Sequence, residues 1–118
     1  MIGSGNTYPL YGLLDTGADD TLFPEHIATR LGIDLSNAAI GHMKTATLMS
    51  VPVRYAQVLL RITDGVEQRE WPAWVGFTPA PLNQPLLGFA GFLQFFTATF
   101  HGDREQVELT INSLYPGT

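Results

Sequence analysis

Hydrophobic and polar residues alternate along much of the chain, which is the pattern of half-buried β-strands. The longest such stretch spans residues 51–62. Its side chains divide between two faces, with Val53, Tyr55, Gln57 and Leu59 on one and Arg54, Ala56, Val58, Leu60 and Ile62 on the other. Turn residues at 63–65 lead into a return strand over 70–77, and residues 97–111 form a second hairpin that turns at Gly102-Asp103. The pattern therefore predicts a mainly β protein.

The return strand over residues 70–77 carries both tryptophans of the chain. Trp71 and Trp74 fall on opposite faces of an ideal strand, so we expect only one of them to lie deep in the core. Pro72 stands between them, and proline cannot donate a hydrogen bond to a neighbouring strand. We therefore expect the strand to be interrupted at Pro72.

Two short helices are predicted between the strands. The first spans residues 25–31, because Pro24 suits a helix start and Gly32 suits the cap at the end. The second lies within residues 91–96, whose phenylalanines we assign to the core. Residues 33–35 alternate in polarity and predict a short half-buried strand after the first helix.

Length and composition indicate a globular chain with a single domain over residues 1–118. Residues 1–9 are small and polar, and they predict a flexible N-terminal arm or an incomplete hairpin. The net charge of −5 argues against nucleic acid or an anionic membrane surface as a partner. There is no cysteine, so the chain has no disulfide framework. The start of the chain does not resemble a signal peptide, so we expect a cytoplasmic rather than a secreted protein.

A carboxylate stands at the mouth of a predicted core strand. Tyr11 and Leu13-Leu14 lead into it as a buried strand, and the chain then turns at Thr16-Gly17. Asp15 is therefore expected to be partly removed from water, where a carboxyl group is suited to acid/base chemistry. The alternative is a polar turn in which Asp15 bonds its own backbone.

A second segment, Pro85-Leu86-Leu87-Gly88, combines an aliphatic pair with a glycine that lets another backbone approach closely. Together with Leu13-Leu14-Asp15-Thr16-Gly17-Ala18 it resembles the retropepsin-like aspartic proteases, the family of the retroviral proteases and their bacterial and cellular relatives. The resemblance covers residues 13–100. It implies a homodimeric, closed β-barrel with one or two short helices, a flap hairpin and a ψ-loop in which the second segment threads beside the first.

The resemblance also implies a function, that of an aspartic endopeptidase acting on a peptide or protein substrate without a cofactor. Asp15, Thr16 and Gly17 would be the catalytic residues. Because the sequence holds a single Asp-Thr-Gly and no internal repeat, the two carboxylates of such a site would come from two copies of the chain. The residues implied to bind substrate are Ala18, Asp19 and Asp20 in the cleft and Gly41, His42, Met43, Thr45 and Ala46 in the flap, which is predicted over residues 38–50. The three histidines are scattered, and we predict no metal site.

The chain departs from the retroviral pattern in two respects. An arginine usually follows the second glycine and braces an acidic residue, whereas this chain has Phe89-Ala90-Gly91. Asp19 is then expected to face substrate or to pair with another arginine such as Arg104. The strand pair that usually precedes the Asp-Thr-Gly strand also has little room here. Two alternatives therefore stay open, a catalytically silent dimerisation or peptide-binding module of the same fold, and a small β-barrel with a structural Asp-Thr-Gly turn.

Overall fold

The computed structural model describes residues 2–3, 6–7, 9–44 and 50–118. Across these residues the chain forms ten β-strands, one α-helix and two 3₁₀-helices. The strands are β1 (Ile2–Gly3), β2 (Asn6–Thr7), β3 (Leu13–Leu14), β4 (Leu22–Pro24), β5 (Ala39–Lys44), β6 (Ser50–Thr63), β7 (Gln68–Thr78), β8 (Leu86–Leu87), β9 (Phe96–His101) and β10 (Gln106–Ile111). The α-helix is α1 (Glu25–Leu31), and the 3₁₀-helices span Leu93–Phe95 and Gly102–Arg104.

The strands form two sheets. The larger follows the order β2-β1-β6-β7-β4-β8-β3, with β5 also paired to β6, and the smaller is the hairpin of β9 and β10. The prediction of a mainly β protein with short helices is therefore confirmed. Among the described residues the path of the large sheet has two ends, β2 and β3, so these pairings do not form a closed ring. Closure into a barrel stays a prediction.

The centre of the molecule is the long hairpin of β6 and β7, paired from Arg54 opposite Phe77 to Thr63 opposite Gln68. One face of this hairpin is buried against the core, as the alternation predicted; its buried residues are Val58, Leu60, Trp71, Ala73, Val75 and Phe77. Trp71 is fully buried and Trp74 is 63% exposed, so only one tryptophan lies in the core.

The predicted interruption at Pro72 is wrong, because β7 runs unbroken through it and Pro72 lies opposite Leu59. The reason lies in the direction of the backbone. The amide of Glu70 donates to the carbonyl of Thr118, away from β6. Successive residues of a strand alternate in direction, so the nitrogen of Pro72 faces the same way as that of Glu70 and no bond to β6 is lost.

Helix α1 spans the predicted residues and packs on the sheet through Ile27, Ala28 and Leu31. It ends at Gly32, whose φ of 73° is left-handed and favours glycine. The strand predicted over residues 33–35 is wrong. The amide of Ile33 bonds back to the carbonyl of Ala28, so this segment completes the end of the helix instead of pairing with a strand. No helix in the described part of the chain is long and apolar enough to cross a bilayer.

An aromatic cluster joins the segment after β8 to the sheet. The rings of Phe92 and Phe96 lie 5.4 and 5.2 Å from that of Trp71, whose indole nitrogen donates to the carbonyl of Gly91 at 2.9 Å. Both phenylalanines are buried, as predicted. The helix predicted within residues 91–96 is a single 3₁₀ turn, because Phe96 is already extended and begins β9.

The N-terminal arm forms a small strand pair. Ile2 lies opposite Thr7, and Ile2 also pairs with Leu59 of β6, which adds this pair to the large sheet. Of the two predictions for residues 1–9, the incomplete hairpin therefore describes residues 2–3 and 6–7 better than a flexible arm. The strand pair that usually precedes the Asp-Thr-Gly strand does find room here.

Strand β8 threads between the two strands that flank Asp15. It pairs in parallel with β3, where Leu14 lies opposite Leu87, and antiparallel with β4, where Leu22 lies opposite Leu86. This is the ψ-loop that the resemblance implied. The threading needs a glycine directly after β8. A Cβ at Gly88 would collide with the backbone carbonyl of Asp20 and would lie 2.8 Å from the carbonyl oxygen of Ala18.

Replacing Gly88 by alanine is expected to lower the free energy of unfolding by roughly 3 kcal/mol, because the added methyl group meets backbone that cannot rotate away. Urea unfolding followed by tryptophan fluorescence measures the change. The matched control is Gly102→Ala, since a Cβ there meets no atom within 4 Å. This control should stay within about 0.5 kcal/mol of the wild type. Equal stability of the two variants would contradict the threaded arrangement.

Candidate active site

Asp15 lies directly after β3 and is held by its own backbone and by β8. Its amide donates to the carbonyl of Leu87 at 3.0 Å, and its carbonyl accepts from the amide of Ala18 at 3.1 Å. Its half-buried carboxylate accepts a hydrogen bond from the amide of Gly17 at 3.0 Å. An ordinary polar turn makes the same bond. The geometry within one copy therefore suits both the catalytic and the structural interpretation of Asp15.

The loop that begins at Asp15 is fixed on both sides by the segment that contains β8. Before the loop, the amide of Leu13 donates to the carbonyl of Pro85 at 2.8 Å. After it, the amides of Phe89 and Ala90 donate to the carbonyls of Ala18 and Asp19, each at 2.9 Å. Backbone bonds thus set the position of Asp15, with no dependence on a mobile side chain.

The surroundings of Asp15 differ from the prediction of a buried entry strand. Tyr11 is 94% exposed and Leu13 is 47% exposed, while Leu14 is half-buried. The prediction is wrong for Tyr11 and Leu13. Leu13 is exposed because β3 is the last strand of the sheet path and has β8 on one side only, and Tyr11 lies before β3 and outside the sheet. Two large exposed side chains therefore precede the carboxylate along the chain.

The other loop residues predicted to act at the site lie beside Asp15 along the chain. Thr16, Gly17 and Asp19 are exposed, while Ala18 and Asp20 are half-buried. The pairing of Asp19 with Arg104 is not seen, since the Arg104 guanidinium lies 2.9 Å from Nδ1 of His101 on the β9–β10 hairpin. Exposure of Asp19 agrees with the other alternative, in which it faces substrate.

The predicted flap has its arms in place. Strands β5 and β6 pair antiparallel from Ala39 opposite Tyr55 to Lys44 opposite Ser50. Gly41, His42 and Met43 lie on β5, and His42 is exposed. Thr45 and Ala46 lie outside the described residues. Roles of these residues in substrate binding stay predictions.

Sequence reasoning missed one side chain of the site, Tyr55. Its hydroxyl donates to Oδ2 of Asp20 at 3.0 Å. Alternation along β6 placed Tyr55 on the face opposite Val58 and Leu60, but a polarity pattern does not reveal which side chain a residue reaches. In the sheet, small residues lie directly opposite Tyr55, Ala39 on β5 and Gly76 on β7.

The environment of Tyr55 keeps its hydroxyl protonated. Burial raises the pKa of the Tyr55 phenol above 10.0, and the Asp20 carboxylate that accepts its hydrogen bond raises this pKa further. The protonated phenol is the form that donates. Tyr55 therefore remains able to donate to Asp20 at neutral pH.

Within the described part of the chain, no group of three or more His, Cys, Asp or Glu side chains is placed to hold a metal ion. Of the other carboxylates in the loop, Asp20 is bound to Tyr55 and Asp19 is exposed. What the loop offers chemically is a carboxylate in a fixed position at an open edge of the sheet.

Comparison with known proteins agrees with this arrangement. A family model described as aspartyl protease matches residues 2–90, a range that includes both the Asp15 loop and the Leu86-Leu87-Gly88 segment threaded beside it. Searches of curated proteins and of solved structures found no match. The family match covers well over half of the 118 residues. The chain therefore belongs to the retropepsin-like aspartyl protease family.

Proposed function

We propose that the chain is an aspartic endopeptidase that works as a homodimer, in which Asp15 of each copy contributes one carboxylate to a shared dyad. The observation that carries this proposal is the ψ-loop, which holds the backbone of Asp15 in a chain of the aspartyl protease family. A carboxylate that is fixed by backbone bonds and half-buried is suited to meet a second one in a defined geometry.

The dyad works by a division of roles between its two acids. The ionised Asp15 takes a proton from a water molecule, whose oxygen attacks the carbonyl carbon of the peptide bond, while the protonated Asp15 donates its proton to the carbonyl oxygen. The tetrahedral intermediate then collapses. The carbon–nitrogen bond breaks as the leaving nitrogen takes a proton from one acid of the dyad. A hydroxyl of the intermediate returns a proton to the other acid, so the products are a carboxylic acid and an amine and the dyad again holds one proton.

Two features support a second copy as the source of the second acid. The sequence has one Asp-Thr-Gly, and within the described loop Asp20 is already bound to Tyr55. The side chains of Tyr11 and Leu13, in the segment that leads to Asp15, are exposed, and Leu13 lies on β3 at the end of the sheet path. Exposed apolar groups at a sheet edge are the kind of surface that a partner covers.

The substrate in this proposal is an extended peptide. Strand β5 pairs with β6, and no other described strand pairs with β5. Its second edge can therefore accept a peptide by strand addition. Ala18, Asp19 and Asp20 would line the cleft on the opposite side from the flap residues Gly41, His42, Met43, Thr45 and Ala46.

Asp15→Asn is expected to lower kcat/KM for cleavage of an unfolded protein at mildly acidic pH by about 10³-fold or more, because asparagine cannot exchange a proton with water. The matched control is Asp34→Asn. Asp34 also accepts a hydrogen bond from the amide two residues later, but at an exposed turn away from the site. This control should cleave as the wild type does. Cleavage by Asp15→Asn at close to the wild-type rate, or loss of wild-type activity on adding a chelator, would contradict the proposal.

The same assay separates the two alternatives. A catalytically silent peptide-binding module would bind peptide equally well as the wild type and as the Asp15→Asn variant, and neither form would cleave it. A small barrel with a structural Asp-Thr-Gly turn would neither bind nor cleave peptide, and it would stay monomeric at every concentration in sedimentation experiments.

Tyr11→Glu is expected to weaken self-association at least about tenfold, because it places a charge on an exposed side chain of the segment leading to Asp15, which the proposed dimer covers. Val66→Glu is the matched control, since Val66 is also an apolar residue that is 92% exposed but lies at the turn between β6 and β7. Sedimentation velocity over a range of concentrations measures both. A wild-type chain that is monomeric throughout, or equal association of the two variants, would contradict the proposed dimer.

A further inference from the structure

Tyr55 links two parts of the molecule that the sequence keeps far apart. It lies on β6, the strand that pairs with the flap arm β5 on one side and with β7 on the other. Its hydroxyl reaches Oδ2 of Asp20, at the end of the loop that begins with Asp15. The side chain of Tyr55 thereby connects β6, the second arm of the flap, to the candidate cleft.

The ring of Tyr55 is fitted between two glycines. Gly41 lies on β5 diagonally across from Tyr55, and a Cβ there would be 2.9 Å from ring carbon Cε2 and 3.3 Å from the hydroxyl oxygen. Gly76 lies directly opposite on β7, and a Cβ there would be 3.4 Å from Cε1. The missing side chain at Gly41 is therefore what allows the phenol to lie over the flap arm and still reach Asp20.

Main-chain contacts also hold Asp20, which forms a bridge with Ala90 and whose carbonyl is in close contact with Gly88. Tyr55 fixes one of the two carboxylate oxygens and so adds a side-chain tie between β6 and this loop. Among the described residues, the other oxygen has no hydrogen-bond donor, so it remains able to accept an N–H from a ligand.

We propose that Tyr55 is a positioning residue for peptide binding, which holds Oδ2 of Asp20 so that Oδ1 is aimed at a backbone N–H of the bound peptide. The inference rests on the proposed function, because it places Asp20 in the peptide cleft. It also gives Gly41 a role, since this glycine leaves room for the Tyr55 ring. In this chain the acidic loop is braced by Tyr55, which lies on the flap arm β6.

A positioning role predicts a change in binding with little change in the chemical step. Tyr55→Phe keeps the ring between its glycines and removes only the hydroxyl, so KM for a peptide substrate should rise about tenfold while kcat stays within about twofold. The matched control is Tyr115→Phe. The Tyr115 hydroxyl donates to the carbonyl of Glu70 at 3.1 Å, away from the cleft, so its loss should leave KM unchanged.

A second readout is independent of activity. Amide hydrogen exchange at Phe89 and Ala90, which bond the carbonyls of Ala18 and Asp19, should be about tenfold faster in Tyr55→Phe than in Tyr115→Phe. Gly41→Ala should have the same effect by displacing the ring, and Gly102→Ala should not.

Cleavage kinetics and amide hydrogen exchange test the proposed function and the role of Tyr55 separately. A wild-type chain that cleaves no peptide would contradict the proposed function, and exchange would still decide whether Tyr55 holds the loop. Equal exchange in Tyr55→Phe and Tyr115→Phe would overturn the inference. In an active protein, a lower kcat with unchanged KM in Tyr55→Phe would overturn it as well.

Discussion

The backbone of Gly88 passes against the backbone of Ala18 and Asp20 without space for a side chain, and the rest of the site depends on this contact. It is what lets β8 lie between β3 and β4. The hydrogen bonds on either side of the Asp15 loop follow from that threading. The aromatic cluster around Trp71 secures the same segment from behind, through the bond from its indole nitrogen to Gly91.

The two acidic residues of the loop are held in different ways. Asp15 owes its position to main-chain bonds from β8 and to the amide of Gly17. Asp20 owes the direction of its carboxylate to the side chain of Tyr55. Main-chain support suits a group that must meet its counterpart in a fixed geometry, and side-chain support suits a group that must meet ligands entering beneath a flap. This difference is the physical basis for assigning chemistry to Asp15 and peptide binding to Asp20.

Local pattern was sufficient for much of the fold. The alternation along residues 51–62, the ends of α1 and the burial of one tryptophan each depend on neighbours in sequence, and each was predicted. The segments around Asp15 and Gly88 are also local, and the family they indicate supplied the ψ-loop.

The structural features that the sequence did not predict depend on contacts between residues far apart in the chain. Strand β7 continues through Pro72 because the Pro72 nitrogen faces away from β6, in the same direction as the Glu70 amide that donates to Thr118. The exposure of Leu13 follows from the place of β3 at the end of the sheet, which no alternation pattern encodes. The bond between Tyr55 and Asp20 joins residues 35 positions apart, so neither residue's neighbours in sequence indicate it.

The central claim is that two copies of the chain bring their Asp15 carboxylates together. A crystal structure of the self-associated protein measures this directly, as the distance between the nearest carboxylate oxygens of the two Asp15 residues. The account predicts about 3 Å, close enough for one proton to be shared between them. A symmetric pair whose Asp15 oxygens lie more than about 6 Å apart would contradict it, because two acids at that separation do not share a proton.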